Sequence, residues 1–203
     1  PTDNFGSPYS SPSSFALNPW FLDANELKLN GYIDKSEHLE EFRREGLNIS
    51  SVKFNIADAL TALIGDLLLR KWSMQPVELK QEFLIWLEKN KWVNDYSLFA
   101  VLKEEFNLQP WWDWPKEFRD KDKIELDLWK KKNSSKLLIK KLIQWHLHRQ
   151  WLEIKKFATF RGVKLIGDLP FYVSRDSVDV WSNKSLFSVS EKGELIYQSG
   201  VPP

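Results

Sequence analysis

Three sets of residues in this chain are of types that could do chemistry. Asp168 stands near the end of the apolar run "VKLIGDLPFYV", with Pro170 close by to limit the backbone. A carboxylate is rarely buried without a hydrogen-bonding or charged partner, so its place there points to a site role. Asp176 and Asp179 in "RDSVDVW" form a second carboxylate pair. A spacing of three is also simply a helical turn or cap, so they are not read as a general acid and a nucleophile. His146 and His148 suggest a metal, yet two positions on a helix point about 200° apart. Ligand pairs on one helix need spacings of three or four, and no shared metal is expected. Eleven tryptophans and thirteen phenylalanines add a large area of flat aromatic surface. Such faces suit stacking on sugar rings as well as core packing, and most are expected in the core.

These groups must be carried by a mostly helical chain. Residues 1–20, "PTDNFGSPYSSPSSFALNPW", have neither helical nor strand periodicity and read as a long loop with aromatic punctuation. A loop of that length in a compact domain, when ordered, is usually a binding loop. Helices are expected in "DKSEHLEEFRREG", capped by Asp34 or Ser36 and stopped by Gly46, and in the apolar "NIADALTALIGDLLLRKW". Further helices are expected in "QPVELKQEFLIWLEKN", with Pro76 in the first turn, and in "NDYSLFAVLKEEF", with Asn94 as cap. "NLQPWWDWPKEFRDKD" reads as a structured loop. The longest helix runs from Ser134 to Arg161 with Gly162 as stop; Leu138, Leu142, Trp145 and Leu152 share one face, and its lysines face solvent.

After that helix the run Val163–Val173, rich in β-formers, reads as a strand buried on both faces. Helix, turn and buried strand make half of a βαβ unit, and one parallel strand needs neighbours to satisfy its backbone groups. The chain also opens on Pro1 and stops in the turn-like "SGVPP", so it is read as part of a longer protein. "EKGELIYQ" suggests a short hairpin turning at Lys192 and Gly193.

Composition excludes several classes of function. Net charge is +1, from 29 basic and 28 acidic residues, which leaves no broad footprint for nucleic acid or an anionic membrane. No cysteine is present, which removes disulfides, thiolate metal sites and cysteine nucleophiles. No apolar run approaches the roughly 20 residues that span a bilayer, and the start lacks a signal-peptide pattern. A soluble chain is expected, cytoplasmic or plastid-located.

The segments "SPYSSPSSFALNP", "GDLPFYVSRDSVDVWSN" and "GVPP", with "WVNDYSLFAVLKEEFN", "WWDWPKEFRD" and "RQWLEIKKFA" between them, resemble the 4-alpha-glucanotransferases of glycoside hydrolase family 77, the amylomaltases or disproportionating enzymes. The family pattern is approximately "SPYQSxSxFAxNP" and "IGDLPIYVxxDSADVW". Ser10, Pro12 and Phe171 depart mildly from it.

The resemblance implies an α/β fold, a partial (β/α)8 TIM barrel of the alpha-amylase superfamily with a large helical insertion between barrel strands 2 and 3. Residues 1–30 would be a substrate-lining loop after strand 2 and 31–133 the mainly helical insertion. Residues 134–203 would supply a barrel helix, strand 3 and the start of the next active-site loop. The implied activity transfers a segment of a 1,4-alpha-glucan to the 4-OH of another glucan or glucose, with retention through a glycosyl-enzyme intermediate. No main catalytic carboxylate would lie within this chain. Tyr9 would line the sugar subsite at the cleaved bond, and Asp168 would help to hold that sugar and the active-site constellation. The partners implied are maltooligosaccharides, starch- or glycogen-derived alpha-1,4-glucans and glucose, with no metal or cofactor. The competing reading is a non-catalytic helical module that binds carbohydrate or another partner.

Overall fold

The computed structural model describes residues 1–2, 6–35, 39–41, 53–168 and 172–197. Of the expected helix over 34–46, residues 36–38 and 42–46, with its Gly46 stop, lie outside the described residues, as do Pro170, Phe171 and the "GVPP" segment. Eight helices are used below: α1 (Ala24–Leu29), α2 (Phe54–Trp72), α3 (Val77–Lys89), α4 (Trp92–Glu105), α5 (Lys116–Arg119), α6 (Lys123–Lys132), α7 (Ser134–Phe160) and α8 (Val178–Ser182). The chain forms two compact units. The first comprises Pro1–Ala16, Asn94–Leu137 and Leu169–Pro203; the second comprises Leu17–Val93 and Leu138–Asp168.

The α/β expectation is corrected. Among the described residues there is no strand, and so no barrel strand; the only ladder-like pairing is an isolated antiparallel bridge between Val189 and Leu195. Val163–Asp168 is irregular and exposed throughout, with Ile166 96% accessible. The physical reason lies in the pairing requirement. β-rich composition supplies side chains that fit a sheet, but each N–H and C=O of a parallel strand needs a neighbouring strand, and no described strand flanks this run.

The first unit is built around tryptophan. Trp111, Trp114 and Trp181 are buried with Phe99, Leu102, Val101 and Val178. Burying an indole also buries an N–H that needs a partner. Here Trp111 Nε1 donates to the Arg175 carbonyl at 2.8 Å, Trp114 Nε1 to that of Gln109 at 3.0 Å and Trp181 Nε1 to that of Phe118 at 3.1 Å. Each indole thus fills volume and ties down a loop. The Lys103 ammonium donates to the Leu108 and Gln109 carbonyls at 2.8 and 2.9 Å and to Asp176 Oδ2 at 2.6 Å. That anchors the turn after α4, where Asn107 and Leu108 adopt positive φ. Near the end of the described chain a tight turn bonds Gly193 N–H to the Ser190 carbonyl at 2.8 Å. Gly193 has φ +85°, and a Cβ there would meet Trp111 Cη2 at 2.5 Å, so glycine is required twice over.

The second unit packs aliphatic and aromatic residues of α2, α3 and α7. Ile64, Leu68, Phe83, Trp86, Leu142, Ile143 and Leu147 are buried together. Helix α7 departs from a simple stripe: six consecutive residues, Leu142–Leu147, are buried, whereas Leu152 is 39% exposed. Its middle is therefore enclosed on all sides. Gly65 of α2 permits the close approach, since a Cβ there would lie 2.6 Å from Ile139 Cγ2. Two glutamines of α7 clamp the irregular segment before α1. Gln144, 1% exposed, accepts from Leu17 N–H at 2.9 Å and donates to the Leu17 carbonyl at 2.8 Å. Gln150 repeats this on Asp23, at 3.0 and 3.1 Å. Asp23 then caps α1, which ends with Gly31 at φ +74° and the Tyr32 N–H on the Leu27 carbonyl at 2.9 Å.

Candidate functional site

Tyr9 belongs to the first unit. It sits in the turn after Pro8, with 70% of its surface exposed. The serine-rich stretch that follows is ordered by its own hydroxyls. Ser11 Oγ donates to the Ser13 carbonyl at 2.7 Å and accepts from Ser13 N–H at 3.2 Å. Ser13, 3% exposed, accepts at Oγ from Phe15 N–H at 3.3 Å and Ala16 N–H at 3.1 Å. Serine hydroxyls close such turns by replacing backbone partners, which is why this loop can be fixed without helix or strand.

The loop is also tied to α8. Val178 N–H donates to the Pro12 carbonyl at 2.9 Å, and Ser14 N–H donates to Asp179 Oδ2 at 2.9 Å. Ser177, fully buried, caps α8 by accepting from Val180 N–H at 3.3 Å. Asp176 is spent elsewhere, on the Lys103 ammonium and on Trp111 N–H at 3.3 Å. Both carboxylates of "RDSVDVW" therefore hold backbone or a lysine, and neither caps α8.

Between the serine loop and the segment before α8 lies an open cavity of about 190 Å³. Pro8, Tyr9, Ser11 and Ser14 line it with Tyr172 and Ser174. Tyr172 is 66% exposed, so two phenol rings and several hydroxyls face solvent together. Ring faces beside hydrogen-bonding groups match the amphipathic surface of a sugar. A larger cavity, about 640 Å³, lies in the second unit, walled by Phe21, Leu147, Trp151 and Ile154. It contains neither Tyr9 nor Asp168, and Gln150 on its wall is already bonded to Asp23 and to Glu26 Oε2 at 2.7 Å. Side-chain chemistry rather than size favours the smaller one.

Asp168 belongs to the second unit, exposed at the end of the irregular Val163–Asp168 segment rather than at the tip of a strand. Tyr9 and Asp168 thus fall in different units. The two histidines of α7 meet different neighbours. His146, 3% exposed, packs its ring 4.8 Å from those of Tyr32 and Trp145, and His148 packs against Trp86 at 5.7 Å. Burial, and secondarily the Arg149 guanidinium, pushes the His146 imidazolium down to a pKa of about 3. It is a neutral core group at neutral pH. Among the described residues no cluster of three or more His, Cys, Asp or Glu could hold a metal ion, and no helix is long and apolar enough to cross a membrane.

Tyr172 and Ser13 were not singled out by residue type, and Asp179 was read only as one of a carboxylate pair with Asp176. Ser13 had a local signal, a serine two and three residues ahead of the amides it accepts. The Asp179–Ser14 bond spans 165 residues and has none beyond both lying in motif segments.

The model of glycoside hydrolase family 77, described as 4-alpha-glucanotransferase, matches residues 1–203. The chain belongs to this family. It is 34% identical over 200 residues to the 4-alpha-glucanotransferase of Clostridium butyricum, covering 97% of this chain and 40% of that protein. It is 32% identical over 206 residues to the Thermus thermophilus 4-alpha-glucanotransferase, covering 100% and 40%. The solved amylomaltase of Streptococcus agalactiae in complex with acarbose superposes with a TM-score of 0.82 at 26% identity, covering 95% of this chain and 39% of that one. This family 77 chain thus spans about two fifths of the length of the relatives it matches. The cavity at Tyr9 is built from two of its motif segments, "SPYSSPSSFALNP" and "YVSRDSVDVW".

Proposed function

We propose that this chain supplies a sugar-binding part of a 4-alpha-glucanotransferase. The enzyme moves a segment of a 1,4-alpha-glucan to the 4-OH of another glucan or of glucose, with retention. The observation that carries the reading is the pairing, in a family 77 chain, of Tyr9 and Tyr172 on one open cavity with serine hydroxyls between them. Retention needs a carboxylate nucleophile and a separate acid/base about 5–5.5 Å apart. We assign neither to residues 1–203. Within the chain Tyr9 is a substrate-binding residue that packs its ring on a glucose, and Asp168 is a substrate-binding carboxylate. Substrates are maltooligosaccharides and starch- or glycogen-derived glucans, with glucose as acceptor or product. A cytoplasmic or plastid setting accords with a chain free of cysteine.

Incubation of the enzyme carrying this chain with maltotriose tests the reading. Glucose together with maltooligosaccharides longer than maltotriose is the expected result. Glucose and maltose without longer products would identify a hydrolase instead, and retention on immobilised amylose without any conversion would identify a non-catalytic binding module. Asp168→Asn is expected to lower turnover at an unchanged thermal midpoint, because the side chain is exposed and little folding energy rests on it. Unchanged turnover would make Asp168 a surface residue.

A further inference from the structure

We propose that Asp179 is a positioning residue for sugar binding, which acts on Tyr9 through the Ser14 amide and the loop between them. The inference rests on the functional reading above and assigns the cavity a supporting group that does not touch the sugar.

The loop that presents Tyr9 has little packing of its own. Tyr9, Ser10 and Ser14 are exposed, and only Ser13 and Ala16 are buried in the stretch from Tyr9 to Ala16. Its internal turn is closed by Ser11 and Ser13, which fixes its shape but not its place. Two bonds tie it to the start of α8: Pro12 carbonyl to Val178 N–H, and Ser14 N–H to Asp179 Oδ2, both at 2.9 Å. The first is backbone to backbone and carries no side-chain information. The second is charge-assisted and stronger than a neutral bond.

The mount at the other end is rigid. Val178, Val180 and Trp181 are buried, Ser177 caps the helix, and Asn183 Nδ2 closes back on the Asp179 carbonyl at 3.0 Å. An aspartate on a fixed helix, gripping an amide in the cavity wall five residues beyond the sugar-facing ring, sets where that ring stands. The neighbouring Asp176 cannot substitute, because it is bonded to Lys103 and the Trp111 amide.

Asp179→Ala and Asp179→Asn in the enzyme carrying this chain test the proposal by two readouts. Loss of ground-state positioning raises KM while kcat is kept. For Asp179→Ala we expect a KM for maltotriose about 10-fold higher with kcat within about threefold, the size of one lost charge-assisted bond. Asp179→Asn keeps an acceptor oxygen and is expected to restore KM to within about threefold of the unsubstituted value. Hydrogen exchange of the amides over 9–16 is expected to quicken about 10-fold in the alanine variant and to return in the asparagine one. Unchanged KM in Asp179→Ala, equal impairment of both variants, or unaltered exchange would overturn the proposal. Absence of transfer in the unsubstituted protein would overturn the functional reading, whereas the exchange measurement reads the Asp179–Ser14 tie by itself.

Discussion

The two units solve the same problem, irregular backbone that must be held, with different side chains. In the first, the indoles of Trp111, Trp114 and Trp181 donate to the carbonyls of Arg175, Gln109 and Phe118, so one residue fills the core and closes a loop. In the second, aliphatic and aromatic groups fill the core together, and the amides of Gln144 and Gln150 clamp Leu17 and Asp23. The contrast extends to tryptophan itself. Trp86, in the second unit, buries its Nε1 with no hydrogen-bond partner among the described residues. An indole in the first unit therefore does two jobs, and Trp86 does one.

The largest expected effect breaks the first unit at a fully enclosed indole. Trp181→Ala, at a residue 1% exposed, should cost about 3–5 kcal/mol in denaturant unfolding through the cavity it leaves. The phenylalanine variants sharpen the comparison. Trp181→Phe removes the indole bond to the Phe118 carbonyl, which keeps the Lys121 N–H at 3.4 Å, and should cost about 1 kcal/mol more than Trp86→Phe, which removes a donor that has no partner. Equal costs would show that the indole bonds contribute nothing beyond volume.

Acid should act on the second unit first. His146 has its folded pKa lowered from 6.5 to about 3, so below pH 6.5 the unfolded chain takes up a proton that the folded one refuses. Stability is intact above pH 6.5 and falls as pH drops from there towards 3. At about 1.4 kcal/mol per pH unit, the loss is about 2 kcal/mol at pH 5. His148, also lowered by burial and then by Lys155, acts in the same direction. Urea midpoints at pH 7 and 5 should differ less in His146→Phe than in the unsubstituted protein; an identical difference would remove His146 as the cause.

The smallest effect concerns the glutamine clamps. Gln144→Ala should cost about 1–2 kcal/mol, because half-buried Leu17 groups lose their buried partner, whereas Gln150→Ala, at an exposed clamp that water can replace, should cost under about 1 kcal/mol. Equal losses would mean that burial of the clamp is immaterial.

The helical framework was legible where local signals are strong. The longest helix starts at Ser134 and ends at Phe160, one residue short of the expected end, with Gly162 at φ +70° as the stop. Helix α3 begins at Val77, with Pro76 just outside it. Helix α4 starts at Trp92, so Asn94 is inside it rather than its cap. Helix α1 went unread because six residues give less than two turns of periodicity, and its cap Asp23 sits in a loop-like stretch. The expected turn at Lys192 and Gly193 is present, with a single bridge in place of a hairpin ladder.

The strand reading of Val163–Val173 failed for a different reason. Alternating and β-branched residues describe what a sheet would accept, and composition cannot supply the adjoining strand. The site was half legible. Tyr9 stood out in its motif, but Tyr172 and Asp179 act on the same cavity from the far end of the chain, a proximity that spacing does not encode.

That separation has a consequence in time. The bond from Ser14 to Asp179 joins residues 165 apart, so the segment bearing Tyr9 leaves the ribosome long before its anchor exists. At synthesis rates of roughly 5–20 residues per second, it waits on the order of 10–30 s as an unmoored, serine-rich stretch. Organisation of the Tyr9-bearing loop is thus a late event in the birth of the protein, set by the arrival of "DSVDVW" rather than by the completion of the loop itself.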